Sequence, residues 1–201
     1  TTEDHGSCYG MGLLYSGNFS FEVEEGQFNQ TRMQIGLLDE MLDYPLNPGE
    51  EFYSPEAAMA YTDQGLTALS HIYHDLIREH VCRGKYKTGP RPVLINSWEA
   101  AYFDFNGDQL IEIARDAAKL GIDMFVLDDG WFGKRDTDNS GLGDWYVNEE
   151  KLGGPLSRIA DAVNELGMKF GLWIEPEMVN EDSDLYREHP DWAYIIPGRK
   201  P

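Results

Sequence analysis

Three short, unbroken apolar runs constrain this chain more than any other feature. They are Val93-Leu94-Ile95, Met124-Phe125-Val126-Leu127 and Phe170-Gly171-Leu172-Trp173-Ile174. Each ends abruptly in polar or aromatic residues: Asn96-Ser97-Trp98, Asp128-Asp129-Gly130-Trp131 and Glu175-Pro176-Glu177. Runs of this length without alternation are the mark of strands buried on both faces. Two amphipathic segments lie between them. One spans about 106–120, with Leu110, Ile113, Ala114, Ala117 and Leu120 on one stripe, Asn106 and Gln109 spaced as a capping box, and Gly121 at its end. The other starts at Pro155, carries Leu156, Ile159, Ala160, Val163 and Leu166, and stops at Gly167. A third helix is expected over Ser183–Glu188, before Pro190. Buried strands alternating with amphipathic helices predict a parallel sheet covered by helices.

A doubly wound sheet places glycines for phosphate after its first strand. Here that strand ends in Ser97-Trp98-Glu99, and neither GxGxxG nor GxxxxGK[ST] occurs. Three successive tips with chemical side chains instead suit a (β/α)8 barrel, in which all strands deliver their C-terminal ends to one mouth. A barrel takes roughly 250 residues, so the stretch from Arg91 accommodates about three of eight βα units. The chain also begins with Thr and stops after Lys200-Pro201, and is expected to be an internal piece of something longer.

The first part follows a different pattern. Phe19, Phe21 and Val23 alternate with polar residues, as do Met33, Ile35 and Leu37, and a short strand is expected near Ala57–Tyr61. Turn residues separate these runs at Ser16-Gly17-Asn18, Glu25-Gly26 and Asn47-Pro48-Gly49. An amphipathic helix at about 65–81, capped by Thr62 or Asp63, leads to the Gly/Pro-containing connector Gly84–Pro90. The expected organisation is therefore residues 1–62 as the end of an antiparallel β-sandwich, 63–90 as a linker helix and connector, and 91–201 as the start of a (β/α)8 TIM barrel, truncated after three units.

Charge and cysteines narrow the function. With 36 acidic against 16 basic side chains the formal charge is −20, which repels phosphate backbones and argues against nucleic-acid binding. No apolar run approaches the roughly twenty residues of a membrane span. Cys8 and Cys82 have no CxxC spacing and predict neither a zinc site nor a disulfide framework.

Asp128-Asp129 is the sharpest chemical feature. Two carboxylates where a buried strand emerges offer many lone pairs in a water-poor cleft, suited to adjacent sugar hydroxyls or to Mg²⁺. Equally, one Asp can cap the loop while the other pairs with a cation. Trp98, Trp131 and Trp173 lie at or beside the three tips, where an indole stacks on a sugar face or fills core. Glu175 either hydrogen-bonds a ligand or supports a neighbour. The Gly-, Asp- and Asn-rich connection 132–154 has the length of a functional lid. Within it, Asp136–Gly141 imitates the start of a calcium loop, but Val147 stands where the bidentate Glu belongs. His71 and His74 share a helix face without a third ligand, so a core or partly exposed role is expected. Asn18 and Asn29 open glycosylation sequons in strand-like stretches.

Asn96-Ser-Trp98-Glu-Ala, Leu127-Asp-Asp-Gly-Trp-Phe-Gly-Lys-Arg135, Leu142-Gly-Asp-Trp145, Gly167–Met178 and Ser183–Trp192 together resemble the bacterial α-galactosidases of glycoside hydrolase family 36. The resemblance covers most of 50–201 and, more loosely, the β segment before it. It implies a β-sandwich, a (β/α)8 barrel and a small C-terminal β domain, hydrolysing terminal α-linked galactose of the melibiose and raffinose class with retention. Trp98 is similar to the family's galactose-pocket Trp. Asp128 and Asp129 match its carboxylate pair for the sugar hydroxyls; Trp131, Trp173 and Glu175 stay pocket or supporting candidates from their places at the strand tips. The family's nucleophile is an Asp in a Lys-Trp/Tyr-Asp motif on the fourth barrel strand, and its acid/base an Asp on the sixth. Neither motif occurs here, so no catalytic residue is expected within these 201 residues. The resemblance further implies a cytoplasmic homo-tetramer acting on galactosides, with no cofactor, metal, nucleic-acid or membrane partner. Two other readings stay open at this point: a metal-dependent barrel enzyme using Asp128 and Asp129 as Mg²⁺ ligands, and a non-catalytic carbohydrate-binding module.

Overall fold

A computed structural model of the chain describes residues 1–40 and 42–199. It divides into two compact units, Thr1–Pro90 and Arg91–Pro201. In the first, β1 (Cys8–Leu13) pairs antiparallel with β4 (Ala57–Thr62), and β2 (Phe19–Glu25) with β3 (Thr31–Leu37). These are two separate two-stranded sheets. The alternation in β2 predicts a core face, yet Phe19, Phe21 and Val23 are each 45% or more exposed. A lone hairpin has no second layer to cover its apolar side. Asn18 immediately precedes β2, and Asn29 has a positive φ of 56° in the turn before β3, so each sequon opens just before a strand and runs into it.

Helix α1 (Gly65–Leu76) continues through a single π-helical turn, Ile77–Val81. It packs on β1 and β4 and so belongs to the first unit, where its sequence position suggests a linker. It lies tightly over glycine: a Cβ on Gly10 would lie 2.8 Å from the Tyr73 ring. The Tyr73 hydroxyl donates to the Ala58 carbonyl at 3.2 Å. Neither Thr62 nor Asp63 caps the helix through its side chain. The first-turn donors instead meet backbone, Leu66 N–H reaching Thr2 O and Thr67 N–H reaching Glu3 O, both at 3.0 Å. The N-terminal residues thus do the work that a polar side chain does at most helix starts. His71 and His74 are both exposed.

In the second unit β5 (Leu94–Asn96), β6 (Met124–Leu127) and β7 (Lys169–Leu172) form a parallel sheet in the order β5-β6-β7. Leu94 is opposite Met124, and Met124 opposite Lys169. Two helices follow the stripes read from sequence, α3 (Gly107–Lys119) and α5 (Leu156–Glu165); between β5 and α3 lies a single turn, α2 (Trp98–Ala101), and before α5 another, α4 (Glu149–Leu152). Leu110 and Ala114 of α3, Phe125 and Leu127 of β6, and Ile159 and Val163 of α5 are fully buried together. Each large aliphatic or aromatic side chain so placed stabilises the fold by about 1.5–3 kcal/mol. β6, paired on both sides, is the buried strand; Leu94 of β5 is 52% exposed. The last elements are α6 (Asp184–Glu188), whose first turn is capped by the Ser183 hydroxyl, and a 3-10 turn, Pro190–Trp192. No described helix is long and apolar enough to cross a membrane.

The start of α3 shows how local sequence sets this arrangement. Asn106 Oδ1 accepts from the N–H groups of Asp108 and Gln109 at 3.0 Å each, and the Gln109 side chain accepts from Asn106 N–H at 2.8 Å. Gly107 follows because the Leu152 carbonyl would lie 2.0 Å from any Cβ. Asn106→Ala therefore removes a capping box and should cost about 1 kcal/mol. Thermal unfolding checks this; an unchanged midpoint would show that the box is redundant.

Candidate functional site

The site is assembled at the C-terminal ends of β5 and β6 by one amide. Asn96 Oδ1 accepts from the Trp98 N–H at 2.7 Å, while Asn96 Nδ2 donates to Asp128 Oδ2 at 2.5 Å. Buried Ser97 adds a second tie: its hydroxyl accepts from Asp128 N–H at 3.0 Å and its N–H reaches Val126 O at 3.1 Å. Trp98 and Asp128 therefore share one end of the sheet. Trp98 is half-buried, edge-on to Tyr102 and Phe103 with ring centroids 5.2 and 5.1 Å away. Asp128 is also half-buried, and its Oδ1 accepts from Asp129 N–H at 2.8 Å, closing a turn.

Asp129 is in a different situation. It is 5% exposed, and so is the residue it faces, Arg135. Arg135 Nε donates to Oδ1 and Oδ2 at 3.0 and 3.1 Å, and Nη2 donates to Oδ2 at 2.8 Å. The two aspartates thus divide the roles that their sequence context allows: Asp128 closes the loop and Asp129 pairs with a cation. Both keep acceptor capacity, since each ionised carboxylate has about four lone-pair sites.

Arg135 also explains the calcium-like segment. Its Nη1 donates to Thr137 O at 2.9 Å, Ser140 O at 3.1 Å and Asn180 Oδ1 at 3.0 Å. The polar turn is wound around a guanidinium, and Asp136 pairs outward with Lys151 at 2.9 Å. The rest of the connection is packed. Phe132 and Leu152 are fully buried, Leu142 and Asp144 nearly so. Asp144 accepts from the N–H groups of Asp184 and Leu185, both at 3.0 Å, and Asn180 accepts from Leu142 N–H at 3.0 Å. A lid needs few such ties. This connection is a folded plug.

Of the other candidates, Trp131 is 4% exposed and supports its neighbours: its indole N–H donates to Trp173 O at 3.0 Å. Phe132 and Trp145 pack between them, with centroids 4.4 Å apart. Trp173 and Glu175 are half-buried just beyond β7, and Glu177 is exposed. A cavity of about 850 Å³ lies beside Trp145, Glu177, Asn180, His189 and Trp192, and its lining includes none of Trp98, Asp128 and Asp129. Among the described residues no three His, Cys, Asp or Glu side chains gather as a metal site. Sequence reasoning missed Phe103, Arg135 and Asn180 as members of this assembly. Arg135 sits inside a motif singled out above, but a charged residue in a Gly-rich loop gives no sign of burial.

Comparison with known proteins comes out on one side. The Melibiase family model matches residues 51–201, and the model of the glycosyl hydrolase family 36 N-terminal domain matches 1–47. The bifunctional alpha-galactosidase/sucrose kinase AgaSK of Mediterraneibacter gnavus is 64% identical over 100% of this chain and 22% of its own length. Alpha-galactosidase Mel36A of Lactobacillus acidophilus is 54% identical over 100% of this chain and 28% of its own. Among solved structures, a family 36 alpha-galactosidase AgaA variant from Geobacillus stearothermophilus in complex with raffinose has a TM-score of 0.92 at 50% identity, over 99% of this chain and 28% of that one. The chain thus spans about a quarter of the length of the relatives it matches.

The plug has one titrating latch. The Tyr146 hydroxyl donates to Asp184 Oδ2 at 2.9 Å. That bond, then desolvation, then the charges of Asp144 and Asp184 hold the phenol above its usual 10.0, against a smaller opposing effect of Arg187. Asp184 is held below 3.8 by Arg187 first and Tyr146 second. The latch is therefore complete between the two ordinary values. It is lost as pH falls through the lowered Asp184 value or rises through the raised Tyr146 value. Alkaline absorbance titration should show Tyr146 moving back toward 10.0 in Asp184→Asn; an unmoved phenol would show that the bond does not govern it.

Proposed function

This chain belongs to the melibiase family of glycoside hydrolases, and from that premise we propose that the protein containing it is a retaining α-galactosidase, in which these residues bind the sugar. Its substrates on this reading are terminal α-linked galactosides of the melibiose and raffinose class. Trp98 stacks on the galactose face, and Asp128 and Asp129 accept hydrogen bonds from its hydroxyls. Trp173 and Glu175 border the same end of the sheet. The nucleophile and the acid/base, both Asp, lie on later strands of a (β/α)8 barrel that β5, β6 and β7 begin, and β1–β4 contribute to an N-terminal β-sandwich. The consecutive β5-β6-β7 order supports a barrel. Raffinose bound to the Geobacillus relative supports the substrate class. A cytoplasmic tetramer completes the reading, for which the free Cys8 and Cys82 suit a reducing compartment.

The observation that carries this is the Asn96 fork, which ties the backbone of Trp98 to the Asp128 carboxylate at one end of the sheet. Sugars are recognised by that combination, an apolar C–H face against an aromatic ring and paired hydroxyls against ionised acceptors. The Mg²⁺ reading fares worse on physical grounds. Arg135 already neutralises Asp129, and a divalent cation placed there would sit against the guanidinium charge.

In the full-length protein Asp128→Asn should lower kcat/KM for a chromogenic α-galactoside about 100-fold, because a site built of charged acceptors discriminates through them. Thermal unfolding should be little changed. Near-normal turnover would remove Asp128 from the site. A chelator should leave the rate intact; loss of activity on chelation would revive the Mg²⁺ reading.

A further inference from the structure

Resting on the sugar-site reading above, we propose that Arg135 is a positioning residue for galactose recognition: it acts through Asp129, aiming that carboxylate at the sugar rather than merely holding the fold. The two roles make different demands on geometry. A structural ion pair needs its charge neutralised and its donors met, and is indifferent to how the carboxylate is turned. Arg135 instead engages both oxygens of Asp129, through Nε at 3.0 and 3.1 Å and through Nη2 at 2.8 Å, so the carboxylate plane cannot rotate about its own axis. The Oδ1 atom accepts only from Nε within this arrangement, which leaves it the less occupied oxygen.

The guanidinium is itself immobilised from three sides. Nη1 is held by Thr137 O, Ser140 O and Asn180 Oδ1, and the Phe103 ring lies 5.5 Å from the guanidinium carbon. Phe103 in turn packs edge-on against Trp98 at 5.1 Å. Tyr102, between them, has a φ of 47° that side chains rarely adopt. One cation therefore touches the segments that carry both the stacking ring and the carboxylate grip. Whatever sets its position sets the distance between these two contacts, which is what a pyranose reads. A lysine at 135 would keep the charge and lose the fork.

The test is a double-mutant cycle in the full-length protein, with galactose affinity measured by calorimetry for wild type, Arg135→Lys, Asp129→Asn and the double variant. If Arg135 acts through Asp129, Arg135→Lys should weaken galactose binding at least about tenfold in the wild-type background and by less than about twofold in the Asp129→Asn background. Equal losses in both backgrounds, or none in either, would overturn the proposal. Should Arg135→Lys fail to fold, Asn180→Ala takes its place. It leaves the guanidinium and removes one of its acceptors, and the same background dependence is expected. If neither Asp128→Asn nor Asp129→Asn changes galactose affinity, the sugar site itself is wrong, an outcome separate from failure of the Arg135 role alone.

Discussion

The long connection after β6 depends on two opposite charges buried against each other. Moving a carboxylate and a guanidinium out of water is costly, by several kcal/mol per ion even after relaxation, and attraction between them repays it only when the remaining donors are also met. Here they are. Asp129 receives Nε and Nη2, while two carbonyls and an amide oxygen receive Nη1. Among the described residues no buried side-chain nitrogen or oxygen lacks a partner. The pair therefore demands a particular surrounding chain: a tip after β6 to present Asp129, a turn at 137–140 to present carbonyls, and a residue after β7 to present Asn180.

That demand explains why the connection from β6 to α5 is long and rich in glycine yet tightly packed. To wrap a guanidinium the backbone must turn twice within a few residues, and Gly141 and Gly143 take φ values of 74° and 113° to do so. At Gly143 a Cβ would also come 3.0 Å from the Leu185 side chain, so the same residue lets the plug close on α6. Asp144 then caps that helix from outside it, supplying acceptors to Asp184 and Leu185 N–H. The connection thus ties the tip of β6 to the segment after β7 in a region where a sheet provides no hydrogen bonds of its own.

The parts legible in the sequence are those whose causes are local. The capping box at Asn106, the stripes of α3 and α5, the stops at Gly121 and Gly167 and the three apolar runs all depend on neighbours within one turn or one strand. That Trp98 and Asp128 stand at one end of the sheet was legible because they follow where those runs end. What could not be read is what distant residues decide. Nothing near Arg135 announces its burial, because the residues that enclose it come from four segments. The calcium-like pattern misleads for the same reason: Asp, Asn and Ser make a carbonyl-rich turn, but the cation it holds is a side chain. The backbone cap on α1, supplied by Thr2 and Glu3, leaves no signature at Thr62 or Asp63.

The same geometry separates gripping from bond-breaking. A retaining glycosidase needs two carboxyl groups about 5–5.5 Å apart on opposite sides of the scissile bond, one free to attack and the other free to exchange a proton. Asp128 and Asp129 are neighbours on one loop. Both Asp128 oxygens are engaged, by Asn96 Nδ2 and by Asp129 N–H, and both Asp129 oxygens by Arg135. A carboxylate held through both oxygens is oriented by its partners, and its remaining lone pairs stay available as acceptors. Neighbouring carboxylates on one loop suit the proposed role of gripping a sugar better than flanking its scissile bond. Rigid, ionised acceptors at fixed positions accept hydroxyls of one stereochemistry and leave a buried charge unmatched by the other, which is how a polar site distinguishes epimers that differ by one bond direction.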